Sequence, residues 1–375
     1  MQNNIVLSYL LLSDIHLGHN RNPSTFIISN LDSLFSKHNK KIKNVDVIFI
    51  TGDIFDRLLS NNSPDYINIY DWLTKLVKYC SDNKIKLRIL EGTPSHDWKQ
   101  AKLLYNIVKR LGIKVDFKYF DNIEVETMTI NGYELNILYI PDEIYDNAED
   151  IWLEVNNKLK EKNLDKVDLI MMHGAFKYQL HIKNLDFLHD EERYINITEY
   201  LINIGHVHNH SEYDKILCPG SFDRLNFADE NDKKGGWLIT LYENGEVKKE
   251  FLENITAMVF KTIDLTKDKK IDKILKTIPN YSNIRLLVNK EDSIKTLVKE
   301  LQFKYPNHRF VIKDIDKKEE KELKLNKNRK KELFTFKINK DNIKSLIKEE
   351  IGELDKLVEE EIDMLISNWF YYFNT

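Results

Sequence analysis

The chain has few of the residues that mark secreted, fibrous or membrane proteins. Its 375 residues include only two cysteines, Cys80 and Cys218, together with 12 glycines and 7 prolines. Two isolated cysteines cannot form a disulfide framework and lack the spacing of a metal motif, so a cytoplasmic location is expected. The first apolar run, Ile5–Leu12, is too short for a membrane span and lacks the basic preceding region of a signal peptide. It is predicted to be a strand, and no membrane association is expected.

An excess of charge of either sign is also absent. The formal net charge is −4, with 42% hydrophobic and 31% charged residues. This composition is typical of a soluble globular protein, and the length suits two to three domains. The overall charge gives no signature of nucleic-acid binding, so any contact with DNA must come from local patches. Lysines within residues 37–43 and 99–114 form two candidate patches, although ordinary solvated helix faces would look the same.

Five short apolar runs are each followed by aspartate or histidine, residue types that commonly bind metal ions. Such runs, bounded by turn signals, favour strands buried on both faces. Ligand sites in open α/β sheets collect beyond the carboxyl ends of these strands. The residues concerned are Asp14 and His16, Asp53 and Asp56, His96 and Asp97, His173, and His206 and His208. The sequence therefore predicts a metal centre that is assembled from distant segments.

The spacing of these residues favours a centre for two metal ions. Residues i and i+2 of an extended chain point to the same face, so Asp14 and His16 can bind one ion together. Mixed carboxylate and imidazole ligands suit manganese, iron, zinc or cobalt. There are more ligands than one ion needs, and Asp53, in a tight turn after its strand, is the natural bridge between two ions. Paired ions of this kind hydrolyse phosphoesters.

The set D-x-H, G-D-x-x-D, H-D, H-G and G-H-x-H, in this order, resembles the calcineurin-like metallophosphoesterase superfamily. Within it, the chain is similar to the SbcD-type DNA-repair nucleases, including their bacteriophage counterparts. Further support comes from residues 219–224, which read Pro-Gly-Ser-Phe-Asp-Arg, and from 227–230 and 234–237. These resemble the stretch that follows G-H-x-H in those nucleases. The resemblance covers about residues 5–245 and is only architectural beyond that.

The resemblance implies a role for each candidate residue. The first ion would be bound by Asp14, His16, Asp53 and His208, and the second by Asp53, His173 and His206, with Ser95 or water completing it. His96 would stabilise charge at the phosphate or protonate the leaving oxygen. Asp56 either orients His96 or caps a helix start, and Arg57 would contact the substrate. Two divalent ions are implied, with Mn2+ as the first choice and Mg2+, Fe2+ or Zn2+ as alternatives.

The third motif departs from the family pattern. The family usually reads G-N-H-D there, with the Asn binding the second ion. This chain reads Gly92-Thr93-Pro94-Ser95-His96-Asp97, so Ser95 is predicted at the Asn position, after a loop with extra residues. A neutral hydroxyl is a poorer ligand than an amide oxygen, and a weaker or more hydrated second ion is expected.

The resemblance implies a manganese-dependent DNA exonuclease and endonuclease in repair or recombination. Its partners would be DNA and a coiled-coil ATPase of the SbcC type, a homodimer is a further option, and a viral chain would act in the host cytoplasm. A phosphoprotein or small-molecule phosphatase would use the same metals, and Asp56-Arg57 matches the G-D-x-x-D-R of protein phosphatases, although those carry Glu at the position of Asp97. A catalytically weak scaffold subunit is the third interpretation, motivated by Ser95.

The predicted fold class is α/β (α+β), with a metallophosphoesterase sheet sandwich flanked by helices at residues 1–254. A small α/β capping domain is predicted at 255–312. Residues 313–340 are dense in Lys and Glu and are predicted to form a charged linker with a short strand. Residues 341–375 carry an apolar stripe at helical spacing, formed by Ile343, Ile347, Ile351, Leu354, Val358, Ile362, Leu365 and Trp369. This stripe predicts either a C-terminal partner-docking helix for the ATPase or an amphipathic helix packed on its own domain.

Overall fold

The computed structural model describes residues 4–60, 62–142, 144–145, 147–180, 186–265, 271–288 and 293–314. The strands are β1 Ile5–Leu12, β2 Val47–Thr51, β3 Lys86–Leu90, β4 Phe117–Phe120, β5 Glu124–Ile130, β6 Tyr133–Ile140, β7 Val167–His173, β8 Thr198–Gly205, β9 Ser211–Tyr213, β10 Ile216–Cys218, β11 Gly235–Tyr242, β12 Val247–Glu253, β13 Phe260–Asp264, β14 Asn283–Val288 and β15 Arg309–Asp314. The helices are α1 Ser24–Lys37, α2 Asn39–Ile42, α3 Pro64–Asn83, α4 Pro94–Asp97, α5 Leu103–Leu111, α6 Ala148–Glu161, α7 Glu191–Asn196, α8 Ile271–Leu275 and α9 Ser293–Lys304.

Two six-stranded sheets form the centre of the described chain. The first has the order β12-β11-β1-β2-β3-β4, and the second has the order β5-β6-β7-β8-β10-β9. In the first sheet β1 to β4 are parallel, and β11 and β12 extend its edge as antiparallel strands. In the second sheet β6, β7, β8 and β10 are parallel, with antiparallel strands at both edges. The parallel strands therefore end together at one edge of each sheet.

Successive side chains of a strand point to opposite faces of the sheet, and both faces are buried here. The strands are therefore continuous apolar runs in the sequence. In β1, Tyr9 and Leu11 belong to the core between the two sheets, whereas Leu10 and Leu12 belong to the core beneath the helices. The outer face of the first sheet is covered by α1, α3 and α5, and that of the second mainly by α6 and α7. The predicted sheet sandwich flanked by helices is confirmed. No helix in the described part of the chain is long and apolar enough to cross a membrane.

Residues beyond β12 form a separate three-stranded sheet in the order β13-β14-β15, accompanied by α8 and α9. The sequence pattern predicts strands at 258–265, 283–288 and 309–312 and helices at 270–278 and 292–303, and the observed elements lie close to these ranges. Asn283 at the start of β14 donates a hydrogen bond to the carbonyl of Arg21, in the loop after β1 (3.2 Å). The boundaries of an independent capping domain stay a prediction. The predicted linker, after its first two residues, and the predicted docking helix at 341–375 lie outside the described residues.

A buried ion pair joins the two sheets between their hydrophobic side chains. The Arg88 guanidinium of β3 donates to both carboxylate oxygens of Glu126 in β5, at 2.8 and 2.9 Å. The Tyr139 hydroxyl donates to the same carboxylate at 3.0 Å. Burial alone would raise the pKa of Glu126, but its hydrogen bonds to Arg88 and Lys118 and their charges hold that pKa below its usual value. Because the two charged side chains are only 2% and 4% exposed, neither can be left unpaired without a large cost.

We predict that Glu126→Ala lowers the free energy of unfolding by about 3 kcal/mol, since the buried guanidinium loses the carboxylate that pairs with two of its nitrogens and keeps the more exposed Asp116 as its ionic partner. The double variant Arg88→Met with Glu126→Leu should recover most of this loss, because apolar side chains of similar size can replace a buried pair. Urea denaturation followed by circular dichroism measures both. Lys158→Ala, which removes partly exposed ion pairs within α6, is the control and should change stability little. A loss for Glu126→Ala no larger than that of the control would contradict the prediction.

Candidate metal centre

The carboxyl ends of five parallel strands meet in the described structure. Asp14 and His16 follow β1, Asp53 follows β2, the 92–97 segment follows β3, His173 ends β7, and His206 follows β8. The first three strands belong to one sheet and the last two to the other. Both sheets therefore contribute side chains to a single place.

Glycines allow the two sheets to come this close at their ends. A Cβ added at Gly205 would collide with the carbonyl oxygen of Thr51 and with the hydroxyl of Ser13. Gly52 has a φ of +87°, and a Cβ there would collide with the imidazole of His173. The glycines of the G-D and G-H motifs are therefore required by close approach across the sandwich.

Four of the expected ligand residues have positive φ angles, which bulky residues rarely adopt. These angles are 49° for Asp14, 54° for His16, 51° for Asp53 and 93° for His206. Such conformations persist only where the surroundings impose them, and they cluster at functional sites. Here the buried Asp97 carboxylate imposes the turn at Asp53 by accepting hydrogen bonds from the N–H groups of Asp53 (3.0 Å), Phe55 (2.9 Å) and Gly92 (2.8 Å).

The first group of ligand atoms comes from Asp14, His16 and His208, and these atoms all lie within 4.8 Å of one another. The Nε2 atoms of His16 and His208 are 3.2 Å apart, and His208 Nε2 is 3.9 Å from Asp14 Oδ1. Asp53 Oδ2 is 3.6 Å from His16 Nε2. Ligand atoms at adjacent positions around an ion with bonds of about 2.0–2.2 Å would lie about 3.0–3.6 Å apart. Two of the three separations fall in this range and the third is slightly longer, so the residues predicted for the first ion could hold a metal ion together.

The second group consists of Asp53, His173 and His206. His173 Nδ1 donates to the carbonyl of Thr51 (2.7 Å), so Nε2 is the ring nitrogen that faces Asp53 Oδ2, at 3.4 Å. Burial alone would raise the pKa of Asp53, but the charge of His173 and the hydrogen bonds from His173 and His96 hold it well below its usual range. Asp53 is thus an ionised carboxylate that contacts both groups. These residues would hold a divalent ion, with Asp53 close to both ligand groups.

Asp56 does not have either of the roles considered for it from sequence. Its Oδ1 lies 3.2 Å from Nδ1 of His16, on the side of the ring away from the first ligand group. No helix starts directly after it, since the next one, α3, begins at Pro64. A carboxylate behind a metal-binding imidazole fixes its tautomer and orientation. Asp56 therefore positions His16 rather than His96.

The prediction for Ser95 is corrected by the structure. Ser95 is exposed on α4, and the side chain that faces the ligands is Thr93. Thr93 Oγ1 lies 3.3 Å from Asp53 Oδ2, 3.3 Å from His206 Nδ1 and 3.5 Å from His173 Nε2. The two extra residues of this loop are therefore Pro94 and Ser95, which follow Thr93 and begin the short helix α4. Thr93 therefore stands where the family pattern has Asn.

His96 and Arg57 lie at the open side of the centre. The His96 side chain is 37% exposed, and its Nδ1 is 3.0 Å from Asp53 Oδ2. This hydrogen bond raises the pKa of His96. The Arg57 side chain is 46% exposed, with its guanidinium 3.5 Å from Asp65 and in a hydrogen bond with Asn20. The roles predicted for His96 in catalysis and for Arg57 in substrate binding stay predictions.

Sequence reasoning missed one carboxylate at the centre. Asp142 follows β6 directly, and its Oδ2 lies 3.2 Å from Thr93 Oγ1 and 3.6 Å from His206 Nδ1. It also borders a cavity of about 400 Å³, which is lined by Tyr145, Phe187 and His189 among others. The signal that could have identified Asp142 is its position just after the apolar run that forms β6, since no recognisable motif surrounds it.

We predict that Thr93→Val weakens binding of a second divalent ion, probed with manganese, by at least about 10-fold, because it removes the hydroxyl that faces three ligand atoms. Ser95→Ala is the matched control, and it should leave binding unchanged because Ser95 is exposed on α4. Isothermal titration with manganese measures both variants. Weaker binding by Ser95→Ala than by Thr93→Val would restore the assignment made from sequence.

The family model described as calcineurin-like phosphoesterase matches residues 7–300. The crystal structure of TT1561 of Thermus thermophilus is 11% identical, with a TM-score of 0.39 over 66% of this chain and 99% of the other. A second crystal structure is 12% identical, with a TM-score of 0.39 over 65% and 98%. Similarity at that level carries no argument about function, and no curated protein sequence matches. Because the family model spans well over half of the sequence, the chain belongs to the calcineurin-like phosphoesterases, whose members hydrolyse phosphoesters with bound metal ions.

Proposed function

We propose that the protein is a manganese-dependent DNA nuclease, with exonuclease and endonuclease activity, that acts in repair or recombination. The observation that carries this proposal is the place of the segment that resembles SbcD-type nucleases. The Phe222 N–H donates to the carbonyls of Ser13 and Asp14, at 3.2 and 3.3 Å. The Ser221 N–H donates to the carbonyl of His208 at 3.0 Å. The segment that resembles the nucleases is thus hydrogen-bonded to the backbone of two residues of the first ligand group, Asp14 and His208.

A buried lysine from the same segment supports this reading. Lys234 is 2% exposed, and its ammonium group donates to the carbonyl of His208 (2.9 Å) and to Asp229 (3.3 Å). Asp229 also accepts hydrogen bonds from the N–H groups of Leu225 and Asn226. A buried charge is retained only where it is paired and hydrogen-bonded. The segment therefore fixes the loop that carries His208 from behind.

The residues of the centre have separable tasks in hydrolysis of a phosphodiester. Bound divalent ions supply an activated water and stabilise the charge that develops on the phosphate. Asp53 holds the two ligand groups together, and Asp56 keeps His16 in one orientation. His96 bonds Asp53 through Nδ1, which leaves Nε2 on the exposed side to donate a proton to the leaving oxygen.

The cavity beside His206 supports a nucleotide as substrate. Its volume of about 400 Å³ is within the range of small-ligand sites. Tyr145 and Phe187 are 40% and 44% exposed at this cavity, and aromatic side chains of this kind stack on bases without sequence preference. The lysine patch suggested from sequence offers less support, because Lys99 and Lys102 both pair with Asp121.

We predict that the full chain with manganese degrades linear DNA and that His96→Ala lowers kcat about 10²–10⁴-fold, as expected for loss of a proton donor. Manganese stoichiometry should not change in this variant. Gel assays on end-labelled single- and double-stranded DNA measure the rate, and atomic emission measures the bound metal. His38→Ala, outside the centre, is the control and should retain full activity.

Two outcomes would contradict this account. Hydrolysis of p-nitrophenyl phosphate without cleavage of DNA would identify a phosphatase instead. Loss of a bound ion in His96→Ala would make His96 a metal ligand, which its place in a ligand group with His16 and Asp53 allows.

We further propose that the chain acts as the nuclease subunit of a complex with an SbcC-type coiled-coil ATPase. The support is the apolar stripe at residues 341–375, which spans several heptads and follows a charged segment. Each buried aliphatic side chain of such a stripe contributes about 1.5–3 kcal/mol before the costs of association. The proposed contact therefore depends on the apolar face of this segment.

We predict that changing Ile351 and Val358 together to Asp abolishes binding of the ATPase while manganese-dependent cleavage of short DNA continues. Changing Lys348 and Lys356 to Asp introduces the same side chains on the polar face and should preserve binding. Size-exclusion chromatography with light scattering measures complex formation. Unfolding of the nuclease domain by the first double variant would show that the segment packs within the chain.

A further inference from the structure

The hydroxyl of Thr93 lies among four atoms that all accept hydrogen bonds or bind metals. They are Asp142 Oδ2 at 3.2 Å, Asp53 Oδ2 and His206 Nδ1 at 3.3 Å each, and His173 Nε2 at 3.5 Å. Carboxylate oxygens, hydroxyl oxygens and imidazole nitrogens are the side-chain atoms that bind divalent ions. Their convergence around Thr93 indicates a metal site with more ligands than the sequence motifs contain.

Asp142 belongs to this ligand set by its geometry. Its Oδ2 lies 3.6 Å from His206 Nδ1, the nitrogen that also faces Thr93. The side chain is 12% exposed, so its charge is only partly screened by water. These separations equal those within the first ligand group, where His16 Nε2 is 3.6 Å from Asp53 Oδ2.

Charge balance between the two ligand groups favours Asp142 as a ligand. The first group has a carboxylate of its own, Asp14, beside two imidazoles and the shared Asp53. Without Asp142, the second group would have two imidazoles and the shared carboxylate alone. Thr93 supplies a hydroxyl in place of the amide of the family pattern, and a hydroxyl binds a divalent ion less strongly. A second carboxylate compensates for this, since hard divalent ions prefer anionic oxygen.

We infer that Asp142 is a ligand of the second metal ion and that, with Thr93, it replaces the asparagine that the family pattern has in the third motif. Each ion then has one carboxylate of its own, two imidazoles and a share of Asp53. This inference concerns the metal centre of the family and holds for any phosphoester substrate. Its test therefore measures metal binding and is independent of the DNA substrate proposed above.

Isothermal titration of the full chain with manganese tests the inference. Asp142→Asn keeps the shape of the side chain and removes its charge, and the affinity for the second ion should fall by more than about 100-fold. A carboxylate that only orients an imidazole ligand costs about 10–100-fold when it is changed. Glu149→Gln removes the same charge from an exposed pair with Arg193 and should have no effect. A fall of about 100-fold or less for Asp142→Asn would overturn the inference.

A ligand exchange gives a second readout that does not depend on affinity. Asp142→Cys places a thiolate where a ligand is proposed, and thiolates bind soft ions such as cadmium. Titration with cadmium should then produce an ultraviolet thiolate-to-metal charge-transfer band at one equivalent per chain. Asp142→Ser, which has no sulfur at this place, should show no such band. Absence of the band in folded Asp142→Cys, verified by circular dichroism, would overturn the inference.

Discussion

A buried carboxylate that accepts three backbone N–H groups holds the turn after β2 against the turn after β3. Asp97 forms these bonds with Asp53, Phe55 and Gly92, and the geometry of the whole centre depends on them. They fix the left-handed backbone of Asp53 and thereby the position of the carboxylate that bridges the two ligand groups. The strained ligand turns follow strands of a closely packed sandwich, which has an ion pair between Arg88 and Glu126 inside it.

The two sheets contribute different residues to the metal centre. The first provides Asp14, His16 and Asp53, in turns whose conformations only a packed surrounding can impose. The second provides His173 and the G-H-x-H loop, and glycines without side-chain atoms let the strand ends meet. A change that shifts one sheet relative to the other would alter both ligand groups at once. For this reason the core of the sandwich and the metal chemistry are coupled.

Much of this arrangement follows from the sequence, because buried parallel strands leave apolar runs and ligands follow their carboxyl ends. The errors have physical causes. Pro94 occupies the first position of α4, so Thr93 lies before the helix and Ser95 lies within it. The spacing of the motif alone does not show whether the two extra residues precede or follow the residue at the Asn position. The sequence pattern over 98–111 predicts one amphipathic helix, but α5 starts only at Leu103, because Trp98 and Lys99 have left-handed conformations. Contacts across the sandwich, such as that of Asp142, leave no local pattern at all.

The central claim is that strand ends from both sheets build one centre for two metal ions bridged by Asp53. Anomalous diffraction from crystals grown with manganese tests it most directly. The account predicts two anomalous peaks about 3.5–4 Å apart on either side of the Asp53 carboxylate, one beside Asp14 and His208 and the other beside His173 and His206. A single peak, or peaks that Asp53 does not contact, would contradict it.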